Sequence, residues 1–141
     1  MVDYPLEFFS ATEASKGEDS WEAGISDQSL DVSVPEEFGG VDSLATPEDL
    51  FLSSIENCIV ATFKTIAERK NLEFETIESS SRAVLDRGKD SRPIVDKAEV
   101  DVVLKGIADE EKAEEVREAA MKNCFIHRSV KTEIEESFSW E

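Results

Sequence analysis

Two thiols and one carboxylate are the side chains of this 141-residue chain whose types and spacing suggest chemistry. Cys58 lies near the middle of the apolar stretch 46–70, Cys124 follows 66 residues later in Asn123-Cys124-Phe125, and Glu48 precedes Cys58 by ten residues. There is no Cys-x-x-Cys pair, and the single histidine, His127, has no partner at ligand spacing. The cysteines therefore make neither a zinc site nor a disulfide framework, and no metal or cofactor is expected. Each candidate also has a bland reading. A cysteine inside an apolar helix is first a small buried hydrophobe and only second a redox thiol. Glu48 is first an acid that complements the positive end of a helix dipole. His127 reads as a surface residue near a helix end, and Trp21 and Trp140 read as sheet packing rather than a substrate cage.

The element that must carry Cys58 is unusually well marked. Thr46 can accept as an N-cap, Pro47 suits the first helical position, and Asp49 completes a Thr-x-x-Asp capping box. The apolar residues from Leu50 to Ala67 cover nearly the whole circumference, which predicts a central, buried helix over 46–70. Arg69 and Lys70 complement the C-terminal dipole, and Asn71 can take the left-handed capping conformation.

Around this helix the pattern alternates between strands and turns. Strands are expected over 4–14, 21–26 and 29–34, followed by a loop over 35–45 that contains Gly39-Gly40. That pair would allow close backbone approach to a site, although a plain turn is the simpler reading. A long strand is expected over 72–87 with a change of phase in the serine run 79–81, then a hairpin loop over 87–93 and a strand over 94–107. Asp109 caps a second helix over 110–124 whose Ala113, Val116, Ala120 and Cys124 share one face, so Cys124 is inward-facing at its last turn. A final strand is expected over 132–140. The order is βββ-α-ββ-α-β, an α+β fold with antiparallel sheet and two helices, read as a single domain over 1–141.

Charge excludes several partners. With 33 acidic against 15 basic side chains and a formal net charge of −18, the chain lacks the Lys and Arg clusters that phosphate backbones require, and it should avoid nucleic acid and anionic membrane. The acids are dispersed along the whole sequence. That favours a halophilic surface over a cation-attracting site, and it disfavours a nucleic-acid mimic, which needs carboxylates clustered on one face. No segment reads as long and apolar enough to cross a bilayer, and the N-terminus lacks the basic start of a signal peptide, so a cytoplasmic location is expected.

One family pattern runs through these residues. Val34-Pro-Glu-Glu-Phe-Gly-Gly, then Thr46-Pro-Glu-Asp-Leu-Phe-Leu-Ser-Ser-Ile-Glu-Asn-Cys58, then Asn123-Cys-Phe-Ile-His-Arg-Ser-Val130 together resemble the OsmC/Ohr family, the osmotically inducible and organic hydroperoxide resistance proteins. The likeness runs from about Leu30 to the C-terminus. It implies an intertwined homodimer in which sheets wrap two central helices, and a thiol-dependent reduction of organic hydroperoxides. By this resemblance Cys58 falls on the peroxidatic cysteine, Cys124 on the resolving cysteine and Glu48 on the active-site glutamate. A thiolate attacks the peroxide to give a sulfenic acid, a second thiol condenses with it, and an external small dithiol or dithiol protein reduces the disulfide. Ten residues of helix separate Glu48 from Cys58 by about 15 Å, so a site shared across the dimer is expected.

The sequence also departs from the family. Active members use an arginine in the N-terminal strands, and here none precedes Arg69. Lys16 is the only cation in the first 63 residues, and an ammonium lacks the planar fork that grips a carboxylate. Arg128 is the other candidate, and Phe125 stands where many members have proline. Without a cation, burial and carboxylates should raise the Cys58 pKa and slow the thiol. Two functions therefore stand: a thiol peroxidase, and a non-catalytic dimeric binding or stress-associated relative.

Overall fold

Alternating polar and apolar residues build the N-terminal strands, and turns end them where ladder partners run out. The structure, a computed structural model, describes residues 1–141. It comprises two compact units, Met1–Leu50 and Phe51–Glu141. In the first unit, β1 (Ser10–Glu13), β2 (Ser20–Ile25) and β3 (Gln28–Ser33) form an antiparallel meander. The expected first strand over 4–14 shrinks to four residues. β2 ends at Ile25, which pairs with Ser10, so residues 4–9 have no partner strand, and Pro5 has no N–H to offer one.

The loop after β3 contains a single 3-10 turn, Glu36–Phe38, closed by Gly39 at φ +89°. Gly40 has a separate reason to be glycine, because a Cβ there would overlap the Val34 carbonyl oxygen. The Gly-Gly pair thus serves the turn itself. Buried Ser33 ties this loop together. Its hydroxyl donates to the Asp19 carbonyl at 2.6 Å and accepts from the Val41 N–H at 2.9 Å.

Helix α1 (Pro47–Arg69) begins and ends on the predicted signals. The Asp49 N–H donates to the Thr46 hydroxyl at 3.1 Å while the Thr46 N–H donates to the Asp49 carboxylate at 2.9 Å, a reciprocal capping box. At the far end Asn71 takes φ +53°, the Asn71 N–H bonds to Glu68 and the Leu72 N–H bonds to Ala67. That pair of bonds is a Schellman motif.

In the second unit α1 and α2 (Glu110–Asn123) pack with one sheet, ordered β4 (Thr76–Arg87), β5 (Pro93–Lys105) and β6 (Glu133–Trp140). The core joins Ile55, Ile59, Phe63 and Ala67 of α1 to Ala98, Val100, Val102 and Leu104 of β5 and to Ala113, Val116 and Ala120 of α2. Phe63 stacks on Phe138 at 5.7 Å between centroids and meets Phe74 edge-on at 6.1 Å. Such pairs add about 1 kcal/mol beyond the burial of their area.

Several expectations are corrected here. β5 and β6 run parallel, so the second sheet is mixed and not antiparallel. Parallel neighbours need a long crossover, and α2 supplies it. The strand expected from residue 72 begins at Thr76, since its partner β5 ends at Lys105, opposite Thr76. The alternation also continues unbroken through Ser79 and Ser81, and the phase changes at the Val84/Leu85 irregularity instead. Both serines face inward because each hydroxyl donates to the Glu56 carboxylate of α1, at 2.7 and 2.8 Å. Paired in this way, polar side chains can occupy a core-facing position.

Two statements about α1 change as well. At 23 residues it is long and apolar enough to cross a membrane by length and composition, contrary to the reading from sequence. Nor is it buried all round. Ile55, Ile59, Phe63 and Ala67, spaced by four, are enclosed, while Ser53, Ser54, Asn57, Ala61, Lys64 and Thr65 are exposed.

Candidate functional site

The fold brings the two cysteines together. Cys58 is carried on α1, half-buried, one turn beyond Ile55 on the side that adjoins the core. Cys124 caps the C-terminus of α2 and is fully buried. After Cys124 the chain turns through Phe125 and Ile126 into a short 3-10 turn, His127–Ser129. This turn aims the Ile126 N–H at the Cys58 sulfur, 3.5 Å away. On the other side the Thr62 hydroxyl, one helical turn along α1, is 3.9 Å from the same sulfur.

These contacts set the two thiols apart. Burial pushes the Cys58 thiol up, but the Cys124 thiol, the Ile126 N–H, the Thr62 hydroxyl and the Phe125 backbone together outweigh it, and Cys58 ends below the ordinary 9.0. The expected rise in the Cys58 pKa is thereby overturned. It took account of burial and acidity and left out donors delivered from a distant segment, and no carboxylate is among the groups acting on the sulfur. Burial pushes Cys124 up to about 11, aided by the neighbouring Cys58. The pair titrates as a unit, with the more exposed member losing its proton first.

Glu48 is not brought to Cys58 within α1. The helix is continuous from Pro47 to Arg69, so ten residues place the two about 15 Å apart along its axis. The Glu48 Oε2 atom is enclosed and has no hydrogen-bond partner. Most buried polar atoms in folded proteins are paired. Lys16 lies exposed in the turn between β1 and β2, and Arg128 is exposed in the turn after α2. Neither forms an ion pair. His127 faces Glu136 of β6, with Nε2 and Oε2 4.0 Å apart. No three His, Cys, Asp or Glu side chains converge as metal ligands.

Sequence reasoning found both thiols and missed the groups around them. Thr62 was findable, because positions four apart share a helix face. The Ile126 amide was not, since a backbone donor carries no mark in the sequence. Two open depressions lie nearby in this unit. One of about 650 Å³ is lined by Ala61, Lys64, Thr65, Glu68 and Asn71 to Phe74, and a smaller apolar one by Phe51, Ile94, Val95 and Val130 to Thr132. Neither is lined by a cysteine.

Comparison with known proteins adds the family. The sequence pattern described as OsmC-like protein matches residues 40–138. No curated protein matches the chain. Among solved structures, an OsmC-like protein of unknown function from Vibrio cholerae is similar at TM-score 0.85 and 18% identity, covering 96% of this chain and all of that one. An organic hydroperoxide resistance protein from Elizabethkingia anophelis is similar at TM-score 0.76 and 16% identity, with 98% and 99% covered. An organic hydroperoxide resistance protein OsmC from Legionella pneumophila is similar at TM-score 0.69 and 18% identity, with 97% and 99% covered. At these identities the likeness concerns the fold.

Proposed function

Because the chain belongs to the OsmC-like family, we propose that it is a thiol-dependent peroxidase that reduces organic hydroperoxides as part of a peroxide-stress response. The observation that carries this reading is the meeting of two thiols from opposite ends of the second unit, one with a lowered and one with a raised pKa. A pair matched in this way has separate roles to fill. The names of the Elizabethkingia and Legionella proteins point to the same chemistry.

The Cys58 thiolate attacks the terminal peroxide oxygen. The S–O bond forms as the O–O bond breaks, the sulfur loses two electrons, and the alkoxide leaves as the alcohol after taking a proton. The Cys124 thiol then attacks the Cys58 sulfenic acid, and a disulfide forms as water departs with the Cys124 proton. An external dithiol, small or protein-borne, restores both thiols by exchange. It should enter through Cys58, since Cys124 is enclosed.

A homodimer completes the proposal. The first unit buries only Ala23, Val32 and Ser33, and exposes Leu6, Phe8, Phe9, Ile25, Leu30 and Phe38 among others. Contiguous exposed apolar surface of this kind calls for cover. A second copy would supply it, and would let Glu48 of one protomer face Cys58 of its partner, which the separation along α1 forbids within one chain. The unpaired Glu48 Oε2 supports a further group acting there.

A second reading has its own observation: no cationic side chain touches Cys58, and Lys16 and Arg128 are unpaired. On that reading the protein keeps the fold as a non-catalytic binding or stress-associated dimer. Intact mass spectrometry separates the two. Reduced protein in high salt receives one equivalent of an organic hydroperoxide, beside Cys58→Ser and Cys124→Ser variants. Rapid loss of two hydrogens in the wild type, absent from both variants, with gain of one oxygen in Cys124→Ser, is the peroxidase result. No change over many minutes would sink it.

A further inference from the structure

Thr62 uses its hydroxyl differently from its neighbour. Thr65, three residues on, bonds back to the Ala61 carbonyl at 2.9 Å, the ordinary use of a threonine hydroxyl inside a helix. Thr62 instead turns its hydroxyl toward the Cys58 sulfur, 3.9 Å away. The Ile126 N–H approaches the same sulfur at 3.5 Å from the turn after α2. No lysine, arginine or histidine side chain acts on that sulfur, and Cys124 is the only titratable group that does.

The structure assigns Thr62 the role of a positioning residue, whose hydroxyl, with the Ile126 N–H, holds the Cys58 sulfur between two neutral donors while it faces Cys124. Chemistry sets the direction of the contact. A thiol can donate to the hydroxyl, but a thiolate has no proton, so in the reactive form Thr62 must donate. Hydrogen bonds to the charged form favour it, and a donor one turn away on the same helix cannot drift from the sulfur as a mobile cation could. The contact is long for an uncharged thiol and should tighten once the sulfur carries charge, because charge-assisted bonds are shorter and stronger. The same contact then limits rotation of the oxidised sulfur, which helps to keep it in reach of Cys124. The inference deepens the peroxidase reading and rests on it only for this last step.

Thr62→Val keeps the branched shape and removes the hydroxyl, Thr62→Ser restores it without the methyl, and Thr62→Ala is a second variant without hydroxyl. Thiolate absorbance is followed against pH, and the rate at which iodoacetamide labels Cys58 is measured at a pH below the apparent pKa, with the thermal midpoint as a check on folding. Thr62→Val and Thr62→Ala are expected to titrate at higher pH and to label about threefold to tenfold more slowly, each tenfold being one pKa unit in thiolate fraction. Thr62→Ser is expected to return near wild type. Wild-type titration in both variants lacking the hydroxyl overturns the assignment, and so does a Thr62→Ser protein as slow as Thr62→Val. Neither readout involves peroxide, so a failed peroxidase assay with these shifts intact would refute the proposed function alone, and unchanged shifts with rapid peroxide turnover would refute the role of Thr62 alone.

Discussion

Selective alkylation gives the most direct test of the two-thiol geometry. At pH 8 a thiol with its pKa at about 11 is ionised in about one molecule in a thousand, whereas one below 9.0 is ionised in more than about a tenth. Ionisation alone therefore favours Cys58 over Cys124 by at least about a hundredfold. Part of this is returned, because a more basic thiolate is intrinsically the better nucleophile. With a Brønsted slope of about 0.5, two pKa units give back about tenfold. The net preference is at least about tenfold before access is counted, and Cys124 at 0% exposure has less of that than half-buried Cys58. The reduced protein is treated with iodoacetamide at pH 7, 8 and 9, and each cysteine is followed by peptide mass spectrometry. Cys124 labelling should rise about tenfold per pH unit throughout, being far below its pKa. Cys58 labelling should rise less steeply near its own, so the preference narrows as pH increases. Equal labelling at pH 8, or a preference that widens with pH, would refute the reasoning. A Cys58→Ala protein supplies the control: Cys124 should stay slow, since burial is the larger cause of its raised pKa.

Two further outcomes concern the frame that holds the site. Glu56→Ala removes the acceptor shared by Ser79 and Ser81 and should lower stability to urea by about 2 kcal/mol, the scale of bonds to a charged group, with Glu56→Gln losing less; an unchanged urea midpoint would mean that solvent satisfies these groups equally well. Raising salt from 0.1 to 1 M shortens the screening length from about 10 to about 3 Å and should raise the thermal midpoint, because self-repulsion at net charge −18 outweighs exposed ion pairs such as Arg82–Glu99 and Lys97–Glu135. A midpoint that falls or stays level would remove the halophilic reading.

Much of the architecture was legible because its signals are local. Thr46, Pro47 and Asp49 start α1 through groups three residues apart, and Asn71 ends it by a backbone conformation few residues accept. Asp109 starts α2 in the same way, with the Lys112 N–H on its carboxylate at 2.9 Å. The errors arose where an element's limits depend on a partner. Residues 4–9 and 72–75 have strand-like composition, and both fall outside the ladders because the neighbouring strand has already ended. The parallel pairing of β5 and β6 was implicit in a strand, helix, strand order. The serine run was misread because its partner, Glu56, lies 23 residues away from Ser79.

The site divides along the same line. The sequence by itself determined that a thiol would lie in mid-helix on α1, that a second would face inward at the end of α2, and that Glu48 and Cys58 could not meet within one helix. All three follow from the fixed rise and rotation of residues along a helix. Only the tertiary structure decided which thiol ionises first. That depends on the Ile126 N–H and the Cys124 thiol, which arrive from more than 60 residues away once α2 has packed onto the core. Net charge and apolar surroundings argue for a sluggish Cys58. A few donors at contact distance reverse that, because a hydrogen bond acts on one sulfur while dispersed carboxylates are screened by water and salt.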